Sequence, residues 1–89
     1  MHEMSLINDL VEKIERIARE QNVRRIVKAK VWLGALSHIS ADHFREHFEQ
    51  GTRGTVAQDA QLDVDVSDNI DDPHAQDILL ISVDCQADE

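Results

Sequence analysis

Apolar and polar positions alternate along this chain in two distinct rhythms. Leu6, Ile7, Leu10, Val11, Ile14, Ile17 and Ala18 recur at intervals of three and four. That spacing predicts an amphipathic helix over residues 5–21. Ser5 is placed to cap it, Asp9 falls in its first turn, and Asn22 can supply a left-handed stop. Residues 25–33 change rhythm: Val27, Ala29, Val31 and Leu33 alternate with Ile26, Lys28, Lys30 and Trp32, as in a strand. Ser40 is a second cap, opening a helix over about residues 41–50 with Asp42 near its positive end. Phe44 and Phe48, one turn apart, then face the core, and Gly51 through Gly54 end the helix.

The remaining third is β-structure. Leu62, Val64 and Val66 alternate with Asp63, Asp65 and Ser67, giving a strand with one buried and one acidic face. Residues 68–76, which contain Pro73, form a turn. Ile78 to Asp84 form a last strand whose more continuous apolar run predicts a central position. The order is α-β-α-β-β. The first two strands are parallel if they share a sheet, and the last two form an antiparallel hairpin. The expected fold is a two-layer α/β domain: a three-stranded mixed sheet with two helices on one face. Residues 1–89 form one domain.

Composition narrows the function classes. Hydrophobic residues are 42% and charged residues 30%, which suits a soluble globular fold. No apolar run approaches the roughly 20 residues of a spanning helix, so no membrane is expected. Met1-His2-Glu3 lacks the features of a secretory signal, and the lone Cys85 cannot form an intramolecular disulfide, so cytoplasm is the expected location. All nine basic residues lie within 1–58, beside eight acids, whereas residues 59–89 hold ten acids and no base. An acidic half repels phosphate backbones, and nucleic acid is not an expected partner. The run reads first as a solvated face.

The N-terminus carries the chemistry. A histidine at position 2 places the Met1 amine, the His2 amide and the His2 imidazole in sequence, and each neighbouring pair closes a small chelate ring. The Glu3 amide can add a fourth nitrogen. Four nitrogens in a plane suit nickel(II) or copper(II), whereas zinc prefers a tetrahedron. The bland alternative is a solvated terminus.

Met1-His2-Glu3-Met4-Ser5 leading into an amphipathic helix resembles the start of the HypA/HybF family. So do Gly34-Ala35-Leu36-Ser37, Phe48-Glu49, Thr52-Arg53-Gly54-Thr55, Ala57, Ala60-Gln61-Leu62 and the strand Leu79 to Asp84. The main resemblance covers roughly residues 1–67. It implies a non-enzymatic nickel-insertion protein for maturation of [NiFe]-hydrogenase or, in some bacteria, urease. It implies Ni(II) as the metal, bound by His2 with backbone nitrogens of Met1 and Glu3. A nickel-handling GTPase of HypB type, which Glu3 contacts in the family, and the hydrogenase large subunit are the implied partners. The family's zinc domain, with two C-x-x-C pairs, belongs between the last two strands. Here that place holds Asp68 to Gln76 and no cysteine, so structural zinc is not expected. The alternative is a non-catalytic interaction or regulatory paralogue that has lost metal delivery. Monomer and homodimer both stay open.

The other candidate ligands read weakly. His43 and His47 share one helix face within reach of a common metal, but first as surface or boundary residues beside the phenylalanines. His38 lies in a loop. His74 with Asp71 and Asp72 forms a possible weak cation site. Cys85 lacks the histidine a nucleophile needs. Trp32 reads as partly covered sheet packing, with an interaction patch as the second reading. There is no phosphate-binding glycine loop and no serine nucleophile elbow.

Overall fold

A computed structural model describes residues 2–86, with side chains from residue 5 onward. Its elements are α1 (His2–Gln21), β1 (Ile26–Leu33), α2 (Ala41–Thr52), β2 (Gln61–Val66) and β3 (Ile78–Cys85). The α-β-α-β-β order and the two-layer arrangement are as expected.

Helix α1 buries Ile7, Leu10, Val11, Ile14 and Ala18, the stripe its spacing predicts. Asn22 adopts φ 57°. The Asn22 amide donates to the Arg19 carbonyl at 3.1 Å and the Val23 amide to Ala18 at 3.0 Å. This pair of bonds is a Schellman stop, in which asparagine stands in for glycine. The start differs from expectation. The helix begins at His2, so Ser5 lies inside it and is not its cap, and Asp9 lies beyond the first turn. A serine before an apolar stripe is only a local signal, and helical spacing can continue upstream of it.

Ser40 does cap α2. Its backbone is extended, and its hydroxyl accepts from the His43 amide at 3.1 Å. Ser40→Ala should cost about 1 kcal/mol, lowering the melting temperature by roughly 4–8 °C in a thermal denaturation. The helix runs on through Gly51 to Thr52, with Arg53 as its C-cap. Gly51 does not end it; a Cβ there would meet Val11 and Ile7 of α1 at 3.7 and 4.0 Å, so the glycine lies where the two helices pack. Thr52 is buried, and its hydroxyl donates to the Phe48 carbonyl at 2.8 Å.

The strand order is β2-β1-β3. β1 and β2 are parallel, with Ala29 opposite Leu62 and Val31 opposite Val64. β3 is antiparallel to β1, not to β2. The expected hairpin of the last two strands is therefore absent, and the central strand is β1 rather than β3. Hydrogen bonds explain the crossing. The Ser67 amide donates to the Leu33 carbonyl, and the Gly34 amide donates to the Asp77 carbonyl, both at 2.9 Å. Residues 67–77 are thus stitched across the end of β1, and the chain returns on its far side.

β1 also shifts phase. Ile26, Ala29, Val31 and Leu33 are buried, while Val27 is 42% exposed. An irregularity in pairing between Ile26 and Lys28 accounts for the slip. Helices α1 and α2 pack against each other, α1 also against β3 and α2 against β2. The buried strand residues join Phe44 and Phe48 in one core, the two rings stacked 6.0 Å apart. Trp32 is half-buried on the opposite sheet face, aligned with Asp65 and Leu79. Lys30 and Asp65 form an exposed ion pair there at 3.6 Å. No helix among the described residues is long and apolar enough to cross a membrane.

Candidate metal site

The first turn of α1 carries His2 and Glu3. Met1 lies outside the described residues, as do the side chains of His2 and Glu3. The backbone from His2 is helical. In any helix the first four amides have no intrahelical acceptor, so those of His2 and Glu3 are unclaimed by the helix. Helical ψ, near about −42°, also keeps successive nitrogens on one side of the Cα–C bond. An extended chain would place them on opposite sides. The local fold therefore suits closure of a chelate ring by adjacent backbone nitrogens.

A cleft opens beside this turn, lined by Ser5, Leu6, Leu36, Ser37, His38 and Gln76. Ser5 and Leu6 come from α1, Leu36 to His38 from the β1–α2 loop, and Gln76 from the turn before β3. The loop and the turn are tied down. The Leu36 amide donates to the Ala75 carbonyl at 2.7 Å, and the Ser37 amide to Gly34 at 3.0 Å. Gly34 passes so close to the 74–75 backbone that a Cβ would come within 2.2 Å of the Ala75 oxygen. His38 then takes φ 63°, between buried Ser37 and Ile39, with its own side chain exposed.

The other histidines are placed as follows. His43 and His47 share a face of α2, their ring centroids 6.4 Å apart. His47 Nδ1 is buried without a hydrogen-bond partner among the described residues. His74 does not gather Asp71 and Asp72 around a cation. Its Nδ1 meets the Asp77 carboxylate at 2.9 Å, while its backbone amide donates to Asp72 Oδ1 at 2.8 Å. The Asp77 contact follows from the turn's closure and has no signature in spacing. Among the described residues no three His, Cys, Asp or Glu side chains are grouped to hold a metal. Cys85 is half-buried, opposite Ile26.

Residues 1–70 match the model of the HypA family, described as hydrogenase/urease nickel incorporation, metallochaperone. This chain belongs to the HypA family. It is 41% identical over 66 residues to the hydrogenase maturation factor HypA of Methylocella silvestris, covering 74% of this chain and 58% of that protein. It is 39% identical over 64 residues to the hydrogenase maturation factor HybF of Escherichia coli K12, covering 72% and 57%. The matched part thus spans less than two thirds of these HypA-family relatives. The solution structure of the Ni metallochaperone HypA from Helicobacter pylori shares the fold, with TM-score 0.78 at 19% identity over 97% of this chain and 98% of that one. The span matched to the HypA family includes the first turn of α1.

Proposed function

We propose that this chain is a nickel metallochaperone, not an enzyme, serving the maturation of [NiFe]-hydrogenase or urease. It takes up Ni(II) through the Met1 amine, the backbone amides and the imidazole of His2, with Glu3 supplying backbone nitrogen. The observation that carries this reading is Met1-His2-Glu3 standing at the head of the family-matched span. The helical start at His2 supports it by leaving those amides without helix partners. Nickel is cargo, so the site must release it as well as bind it. The chain works in the cytoplasm as one domain, alone or as a homodimer. A HypB-type GTPase and the hydrogenase large subunit are its partners, and neither nucleic acid nor a membrane takes part. Structural zinc plays no part, since residues 68–76 hold no cysteine.

The amides and the imidazole bind only when deprotonated, so uptake releases protons and weakens as pH falls. The test is calorimetric nickel titration of the untagged chain in buffers of differing ionisation enthalpy. Wild type should bind one ion per chain with proton release. His2→Ala, which removes a direct ligand, should weaken binding on the order of 100-fold, the upper end of what losing even an outer-shell partner costs. One extra residue ahead of Met1 should do the same by moving the amine. Equal binding by wild type and His2→Ala would leave the regulatory-paralogue reading in its place.

A further inference from the structure

Helix α2 carries two imidazoles that the N-terminal chelate leaves unused. His43 and His47 lie one turn apart on the same face, their ring centroids 6.4 Å apart and their planes inclined at 55°. The helix holds them in place. The Ser40 hydroxyl accepts from the His43 amide, and the neighbouring Phe44 and Phe48 are buried in the core. We propose that His43 and His47 form a second cation site, which takes borderline divalent metals such as nickel(II) or copper(II) as a two-imidazole chelate completed by water. The site is separate from the N-terminal chelate and does not depend on it.

The two rings differ in what they offer. His43 is exposed, whereas His47 is partly covered. Nδ1 of His47 is buried without a hydrogen-bond partner among the described residues, so Nε2 is the nitrogen that can meet a cation. No bond to Nδ1 fixes the tautomer there, and Nε2 can present its lone pair without breaking one. With a metal on Nε2 the proton sits on Nδ1 and lacks an acceptor, which keeps the affinity modest. An ion about 2.1 Å from each nitrogen needs the rings to close by about 1–2 Å. Rotation of the exposed His43, whose χ2 well is broad, supplies that movement.

The surroundings favour a cation. Helix α2 holds Asp42, Glu46 and Glu49 against one arginine, Arg45. Two residues from each histidine, Arg45 lies on the opposite side of the helix, and its Nη1 donates to the Leu62 carbonyl of β2 at 2.8 Å. Among the described residues no third His, Cys, Asp or Glu is grouped with the pair. Water therefore fills the remaining positions, and the site fills after the terminal one. Its ligand type predicts tighter binding of copper(II) than of nickel(II).

The experiment uses the full, untagged chain carrying His2→Ala, which removes the terminal imidazole and leaves His38, His43, His47 and His74. Nickel(II) or copper(II) chloride is added below stoichiometry, and the imidazole protons are followed by NMR. The His43 and His47 signals should broaden together, ahead of those of His38 and His74. Adding His43→Gln, at an exposed position, should weaken the residual binding at least about tenfold and end the early broadening of His47. Circular dichroism verifies that the variant is folded. His74→Gln should change neither result. Equal broadening of all four imidazoles, or residual affinity unaltered by His43→Gln, would overturn the site. Neither outcome touches the N-terminal chelate, which stands or falls on wild type against His2→Ala.

Discussion

Phe44→Ala should leave the domain barely folded at room temperature. Phe44 is fully buried, stacked on Phe48 and enclosed by the α1 stripe and β1. Truncating such a ring costs about 3–5 kcal/mol, since lost burial adds to the cavity left behind. A domain of this size has a total stability on the order of 5–13 kcal/mol. The loss therefore takes a large share of it, and the melting temperature should fall by more than roughly 12 °C. Urea denaturation measures the first and thermal denaturation the second, each followed by circular dichroism. Phe44→Leu should recover much of the loss, because it refills most of the volume. A melting temperature within a few degrees of wild type in Phe44→Ala would mean that this core is not where the structure puts it.

Gly34→Ala should be nearly as damaging, by a different route. The new methyl would sit 2.2 Å from the Ala75 oxygen, 2.5 Å from the Ala75 carbon and 2.6 Å from the His74 oxygen. All three are backbone atoms, so no rotamer change relieves the contact. Either the 34–37 loop or the 74–77 turn must move. The bonds Gly34–Asp77 and Leu36–Ala75 then weaken together. The cost should be about 3 kcal/mol, the upper end for overpacking, read in the same denaturation experiment. Hydrogen exchange should locate the damage at Leu36 and Asp77, with the middle of β1 spared. Gly51→Ala is the contrast. Its methyl would make ordinary contacts of 3.7 and 4.0 Å, and the change should be mild.

The contrast between those two glycines also shows what the chain reveals on reading. Helix α1, the cap at Ser40, the stop at Asn22 and the paired phenylalanines are local events, written in residues a few positions apart. They were legible for that reason. The sheet order was not. An apolar run such as Ile78 to Val83 suits a central strand or an edge strand partly covered by a helix. The choice is made by bonds from Ser67 and Asp77 to the end of β1, far away in sequence. The exposure of Val27 likewise depends on a pairing irregularity that alternation cannot encode. The chemistry proposed for His2 can be argued from the sequence because it needs only a position in the chain. The cleft that brings Leu6, His38 and Gln76 together needs three separate elements, and nothing in their spacing announces it.

The stitching of residues 67–77 across the end of β1 also fixes an address. Gln76 borders the same cleft as Ser5 and Leu6, so the span between β2 and β3 passes close to the head of α1. An insertion in that span would emerge next to residue 2 without any linker to carry it.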